Sequence, residues 1–186
     1  MAPPLTAESL AALPKIDLSA LQEADGIFCS GTDPISRAIE GVTGSIFSHV
    51  GMATWDRRAG GWQILQAYQP EVQLVPLDRF VANYGGSVAV ARWSGITPEQ
   101  AQTAVCFGLT QLGLGYGTMT IADIVAHMID RHLPPIRPDG HDWICSQIFQ
   151  SEYILAGLSI PTDQNGFCDP GDCWMPPQMI AVGRLK

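Results

Sequence analysis

The chain has 186 residues and 46% of them are hydrophobic, which suits one domain with a core that needs no metal or disulfide to hold it. Its formal net charge of −8 argues against duplex nucleic acid or an anionic membrane as a partner. No apolar run reaches the roughly 20 residues that span a bilayer, so stable membrane insertion is not expected.

The N-terminal residues 1–8 carry neither a basic region nor a continuous apolar region, so we predict no signal peptide. Export by a dedicated secretion system is the alternative. Reduced thiols in a cytoplasmic protein are therefore expected for the five irregularly spaced cysteines, Cys29, Cys106, Cys145, Cys168 and Cys173. If the protein is exported, Cys168 and Cys173 are a candidate disulfide pair.

We divide the chain into an N-terminal arm with a short helix, residues 1–24, and a single domain, residues 25–186. Asp17 is placed to cap the short helix, over 18–23. Short apolar or alternating runs bounded by turn residues then predict strands. These strands are expected at 26–29, 48–55, 62–68, 72–77 and 87–93.

Helix starts are marked by capping residues. Asp33 followed by Pro34 predicts a helix that Gly41 and Gly44 end. Thr97 and Gln100 form a capping box that opens a second helix. One buried stripe of this helix is predicted to comprise Ala101, Ala104, Val105, Gly108, Leu109 and Leu112.

The second half of the chain begins with a glycine-rich break at 113–117, before a predicted helix at 118–132. A final amphipathic helix is predicted from Cys145 to Ala156, with Gly157 at its C-terminal end. The tail is loop-like, with a short helix after Met175. Strands joined in part by hairpins and flanked by helices indicate an α+β fold.

Two segments carry residues suited to nucleophilic catalysis. His49 begins a predicted strand beside small residues, and Cys145 lies in the first turn of a predicted helix. A helix N-terminus favours the thiolate form of a cysteine, and a nearby histidine would hold or take the thiol proton. From position alone, a buried Cys145 that only packs and a His49 that only fills a strand remain the alternative interpretation.

Five short motifs, in order along residues 25–182, resemble the circularly permuted NlpC/P60 proteins. These are papain-like cysteine hydrolases of the YiiX/YaeF type, distantly related to the lecithin:retinol acyltransferases. In ordinary members of the superfamily the cysteine precedes the histidine, whereas here the histidine comes first, as the permuted branch requires. The motifs are Gly44-Ser-Ile-Phe-Ser-His49-Val-Gly-Met, Ile64-Leu-Gln66-Ala, Leu112-Gly-Leu-Gly-Tyr116-Gly, Trp143-Ile-Cys145-Ser-Gln and Trp174-Met-Pro-Pro-Gln-Met.

The resemblance implies a papain-like α+β fold with a central antiparallel sheet and the Cys145 helix packed against it. It implies a cysteine amidase or peptidase without cofactor, in which Cys145 attacks an amide carbonyl and His49 moves the proton. Gln66 stands where the family usually has an acid, and its carbonyl oxygen is expected to accept the Nδ1–H bond of His49. Tyr116 matches a tyrosine near the cleft and is expected to line the substrate pocket, with a role in closing the glycine-rich turn as the alternative.

The resemblance leaves the substrate open, because a cell-wall peptide and a lipid acyl group both fit it. One alternative is a lipid or ester acyl hydrolase or acyltransferase of the lecithin:retinol acyltransferase type. Another is a non-catalytic binding module with a degenerate Cys–His site, which the glutamine at position 66 favours. The expected partner is a peptide-like or acyl substrate, not a nucleic acid.

Other polar residues receive structural assignments. His141, Cys145, Cys168 and Cys173 offer four zinc ligands, but their spacing is not the common one, so we expect no metal. Cys29 and Cys106 are expected in the core, Asp142 at the start of the last helix, and Trp143 beneath it. His127 and His132 are expected on a helix, facing solvent or a neighbouring element.

Overall fold

The computed structural model describes residues 5–117, 142–162 and 167–186. Its strands are β1 (Gly26–Ser30), β2 (His49–Asp56), β3 (Gly61–Tyr68), β4 (Glu71–Pro76), β5 (Ser87–Trp93), β6 (Gly115–Tyr116), β7 (Asp142–Trp143) and β8 (Met179–Arg184). Its helices are α1 (Ala7–Ala11), α2 (Pro34–Thr43), α3 (Leu77–Asn83), α4 (Pro98–Thr110), α5 (Cys145–Leu155) and α6 (Pro170–Trp174), with a 3-10 turn at Leu18–Ala20.

The strands form one eight-stranded sheet in the order β7-β6-β4-β3-β2-β1-β5-β8. All described strand pairs are antiparallel except β6 with β7. The predicted α+β fold with a central, mainly antiparallel sheet is therefore confirmed. Strand β2 lies between β1 and β3 near the middle of the sheet.

Helices cover both faces of this sheet. Helices α4 and α5 pack against one face over a large apolar cluster that includes Val50 and Phe149. Helix α3 packs against the other face, over a smaller cluster that includes Ile64 and Leu77. Alternation along β2 gives Val50 to the α5 face and Ala53 to the α3 face. The predicted packing of the Cys145 helix on the sheet is confirmed.

The helix boundaries that depend on capping residues match the sequence. The Asp33 side chain accepts the N–H groups of Ile35 and Ser36 at the start of α2. The Thr97–Gln100 capping box opens α4, and Gly157 follows α5 with a φ of +76°. Such a positive φ favours glycine, because a Cβ atom strains that backbone conformation.

Two local predictions are wrong, and two helices of the domain were not predicted. The segment 18–23 forms only a 3-10 turn, although Asp17 caps it as expected. Helix α3, which begins directly after β4, was not predicted, and neither was α6, whose start at Asp169–Pro170 repeats the signal found at Asp33–Pro34. The helix predicted after Met175 is instead β8, because residues of this segment pair with β5.

Burial on α4 also differs from the prediction. Cys29 is buried as expected, but Cys106 is exposed, and its sulfur accepts a bond from Gln102 on the same helix. Leu109 and Leu112 belong to the predicted stripe and are also exposed, and Leu112 lies beyond the end of α4 at Thr110. The predicted helix at 118–132, with His127 and His132, lies outside the described residues.

Helix α4 approaches α5 closely at one point. A Cβ atom added to Gly108 would lie 2.2 Å from Oε1 of Glu152, so only glycine fits there without a shift of the carboxyl group. Glu152 is 1% exposed, and neither of its carboxyl oxygens has a hydrogen-bond partner among the described residues. Burial raises the pKa of Glu152 well above its usual value.

Within the described ranges, no helix combines the length and apolar composition needed to cross a membrane.

Candidate active site

His49 is the first residue of β2 and is 6% exposed. It pairs with Cys29 of β1, whereas the register between β2 and β3 begins further along, at Met52 and Leu65. The start of β2 therefore pairs with β1, whereas its described pairing with β3 begins three residues further along, at Met52. At this position the imidazole contacts a side chain of β3.

Gln66 of β3 makes that contact. Its Oε1 atom lies 2.6 Å from Nε2 of His49, and both side chains are buried. An amide oxygen can only accept a hydrogen bond, so Nε2 carries the hydrogen and the lone pair of the neutral ring lies on Nδ1. The expected pairing of these residues is present, but the expectation of an Nδ1–H bond is wrong, because Nε2 is the nitrogen turned toward β3.

Two aromatic rings enclose the imidazole. The Tyr68 ring lies edge-on, at a centroid distance of 5.4 Å and an angle of 84°, and the Phe80 ring of α3 lies 6.4 Å away. Burial lowers the pKa of His49 to about 4, although the bond to Gln66 acts in the opposite direction. The imidazole is therefore neutral near pH 7.

Cys145 begins α5 and is 7% exposed. Its N-cap residue, Ile144, provides no side-chain cap, so backbone N–H groups of the first turn remain available near the sulfur. Burial raises the pKa of the Cys145 thiol to about 11, while the backbone N–H groups of Val50, Ser146 and Cys145 itself act to lower it. The expected net preference for thiolate is wrong, because burial outweighs the helix N-terminus.

No hydrogen bond joins the Cys145 thiol to the His49 ring among the described residues. Tyr116 of β6 lies close to Cys145. Burial, and then the proximity of Cys145 and Tyr68, raise the pKa of the Tyr116 phenol. Tyr116 and His49 also line one surface depression, together with Tyr68 and Tyr84. Tyr116 is thus near Cys145 and also lines the depression of His49, at the start of β2.

Trp143 is buried and lies on the α4 side of α5. Its indole Nε1 donates to Oε1 of Gln111 at 3.1 Å, and its ring lies edge-on to Phe107. Asp142 belongs to strand β7, not to the start of α5, so the expectation of a helix-start role is wrong. The backbone turns into the helix only at Ile144.

Two further thiols lie under the first turn of α5. The Sγ atoms of Cys168 and Cys173 are 3.8 Å apart, and both thiols are free and directed at the carbonyl oxygen of Ser146. In the described part of the chain, no three His, Cys, Asp or Glu side chains are grouped closely enough to hold a metal ion. His141, the fourth member of the possible zinc set, lies outside that part.

Tyr68 and Phe80 contact His49 but were not predicted as site residues. Tyr68 follows Gln66 by two positions on β3, so the same face of the strand carries both, and this spacing was an available signal. Phe80 lies on α3, a helix that was not predicted, and no local pattern connects it with His49.

A family model described as permuted papain-like amidase enzyme, YaeF/YiiX, C92 family, matches residues 20–123, which is more than half of the chain. This match includes His49, Gln66 and Tyr116 and ends before Cys145. A crystal structure of metalloprotein yiiX from Escherichia coli O157:H7, DUF1105, is similar with a TM-score of 0.67 and 18% sequence identity, and the alignment covers 88% of this chain and 97% of that chain.

No curated protein matches the chain significantly. The structural likeness, at its low identity, supports the papain-like fold alone, while the family model reaches across β1 to β6 and carries the enzyme class with it. This chain belongs to the YaeF/YiiX family of permuted papain-like amidases, the C92 family, and is a papain-like cysteine amidase.

Proposed function

We propose that Cys145, His49 and Gln66 form the catalytic set of this amidase, with Cys145 as nucleophile, His49 as general base and acid, and Gln66 as the residue that orients the imidazole. The observation that carries the proposal is the 2.6 Å contact between Nε2 of His49 and Oε1 of Gln66. It fixes the tautomer in which Nδ1 is free to accept a proton.

The resting site holds a neutral pair. The pKa of the thiol is raised to about 11 and that of the imidazole is lowered to about 4, so neither group is charged near neutral pH. Burial of both groups disfavours a preformed thiolate–imidazolium pair, because both ions would lose hydration. Proton transfer from Sγ to Nδ1 then accompanies the attack on the carbonyl, as in a general-base mechanism.

In the first half-reaction, Sγ bonds to the carbonyl carbon of the substrate amide, and the carbonyl oxygen becomes an oxyanion. The backbone N–H of Cys145, at the start of α5, is the donor that we assign to this oxyanion. Nδ1–H of His49 then protonates the amide nitrogen, the C–N bond breaks and the amine leaves. In the second half-reaction Nδ1 of His49 takes a proton from water while the water oxygen bonds to the thioester carbon. The C–S bond then breaks, the carboxylic acid leaves, and the proton on Nδ1 returns to Sγ of Cys145.

Tyr116 is proposed to line the substrate site. Its ring lies in the same depression as His49, and its phenol lies near the Cys145 sulfur. A substrate carbonyl that approaches Cys145 would therefore pass along this ring. Nothing in this scheme requires a metal or an organic cofactor.

The substrate is proposed to be a peptide-like amide, with cell-wall peptides as the first class to test, and the chain is proposed to be a permuted relative of the NlpC/P60 cysteine peptidases. The five sequence motifs and the histidine-before-cysteine order support this relationship. A cytoplasmic location is part of the proposal, and the odd number and irregular spacing of the five cysteines agree with it, because they do not suggest a disulfide framework.

Mass spectrometry of cell-wall fragments and of lipids incubated with the protein tests this proposal. Wild type is expected to release amines from peptide amides, and Cys145→Ser is expected to release none. Cys106→Ser is the matched control, because Cys106 is exposed on α4 and is not part of the site. Full activity of Cys145→Ser, or release of fatty acids alone, would contradict the proposal.

A further inference from the structure

A groove opens beside the proposed catalytic set, on the side of Gln66. Its lining includes Gln66 and Tyr68 from β3, Arg79 and Phe80 from α3, and Tyr84, which follows α3. The rings of Phe80 and Tyr84 lie 5.3 Å apart and inclined at 32°, and form an aromatic wall. We call this surface the α3 groove.

The α3 groove adjoins the depression that holds His49 and Tyr116. Tyr68 and Tyr84 line both surfaces, so these two rings form the ridge between them. Tyr68 is 49% exposed, and its ring is therefore available to a ligand on the outer side while it contacts His49 on the inner side.

Arg79 provides the charge of the α3 groove, whose lining otherwise has no ionisable acid or base besides the two tyrosines. The guanidinium makes no ion pair within the described chain, whereas Arg37 pairs with Glu40 and Arg92 with Asp25. The neighbouring Asp78 accepts the backbone N–H of Arg79 and does not line the groove. In a chain of net charge −8, this cation is left exposed without a described counter-charge.

The order of the groups indicates which end of a substrate meets the groove. The acyl carbon bonds to Cys145, near Tyr116, and the leaving amine takes its proton from His49. Gln66 lies behind His49 and lines the groove. The leaving amine therefore lies on the His49 side of the scissile bond, and groups attached to it extend toward the α3 groove.

We infer that the α3 groove binds the leaving-group side of the substrate and that Arg79 binds a free carboxylate there. The substrate class is then an N-acyl amino acid or a peptide that is cleaved close to its carboxyl end. A guanidinium suits this role because its paired N–H donors match the two oxygens of a carboxylate. The aromatic wall would contact the side chain of the released residue. This inference rests on the proposed function for the position of the leaving amine.

Binding to the Cys145→Ser protein tests the inference without turnover. The probes are N-acetyl-L-alanyl-L-alanine and its C-terminal amide, which differ only in the charge of the last group, and affinity is measured by NMR titration. We expect the acid to bind about tenfold more tightly than the amide, with less preference at high salt. Arg79→Gln should reduce the preference to within about twofold.

Arg57→Gln is the matched control, since Arg57 is an exposed arginine on the turn between β2 and β3, away from the groove, and it should keep the preference. Equal affinity for the two probes, binding of neither, or a preference that survives Arg79→Gln would overturn the inference. Hydrolysis separates it from the proposed function. If wild type cleaves the acid and the amide equally, the assignment of the α3 groove fails and the catalytic set stands. Activity in the Cys145→Ser protein contradicts the catalytic set and leaves the binding preference unaffected.

Discussion

Nε2 of His49 lies 2.6 Å from Oε1 of Gln66, so the imidazole is held by a neutral acceptor in a buried site. A carboxylate at position 66 would favour the imidazolium, whereas an amide orients the ring without stabilising its charge. Burial keeps the thiol and the imidazole neutral, and the amide of Gln66 provides no charge to offset that effect.

Gln66 should position the His49 ring for catalysis. Gln66→Leu removes the acceptor and frees the ring to rotate, and we expect kcat to fall on the order of ten- to a hundredfold, as for a lost buried hydrogen bond. Gln66→Glu should keep or raise activity and raise the pKa of His49. Gln63→Leu, at a buried position on the same strand, is the control. Wild-type turnover by the Gln66→Leu variant would show that Gln66 does not position His49.

Activity and thiol reactivity should have different pH profiles. The base must be unprotonated, so kcat/KM should fall as the pH drops through about 4, the pKa of His49, and stay level through neutral pH. Alkylation of Cys145 by iodoacetamide should stay slow at pH 6 and rise only in alkaline solution, because the pKa of the thiol is about 11. Peptide mapping in a Cys106→Ser background measures the labelling. Rapid labelling of Cys145 at pH 6 would instead indicate a preformed thiolate.

His49 should make folding stability depend on pH. Its pKa is about 4 in the folded protein and near 6.5 when unfolded, so the unfolded chain binds the proton first as the pH falls. The contribution is fully present above pH 6.5 and is lost between 6.5 and 4. Between pH 7.5 and 5, wild type should lose about 2 kcal/mol more than His49→Gln in urea unfolding. Equal losses in both proteins would contradict a buried neutral imidazole.

Tyr68 should keep water away from His49. Its ring lies edge-on to the imidazole at 5.4 Å, and its other side is exposed. Tyr68→Ala should admit solvent and raise the pKa of His49 from about 4 toward 6.5, as measured by an NMR titration of the ring protons. Tyr68→Phe keeps the ring and should keep the low pKa. The proposed shielding is wrong if alanine leaves the titration unchanged.

Glu152 should destabilise the fold at neutral and alkaline pH. Burial raises its pKa, so the folded protein binds the proton that the unfolded chain has released, and stability falls as the pH rises above about 4.5. Glu152→Met fills the site without an unpartnered carboxyl group and should be more stable than wild type by about 1–3 kcal/mol at pH 8. The gain should shrink toward pH 4. A pH-independent difference would mean that packing alone changed.

Local signals in the sequence determined several features of this protein. Asp33, Thr97 and Gly157 mark helix ends correctly, because each acts on backbone groups within a few residues of itself. The alternating apolar residues of β2 and β3, and the five ordered motifs, led to the correct fold class and family. Strands and helix caps of this kind can be predicted from neighbouring residues alone.

The tertiary structure alone decided the chemical state of the site. Tyr68 and Phe80 reach His49 from different elements, and the nitrogen that meets Gln66 depends on how β3 lies beside the start of β2. Cys145 has the helix N-terminus that the sequence predicts, yet burial raises its pKa. Hydration is lost only when distant segments pack around a group, so the sequence around a residue cannot show whether burial or the local dipole dominates its ionisation.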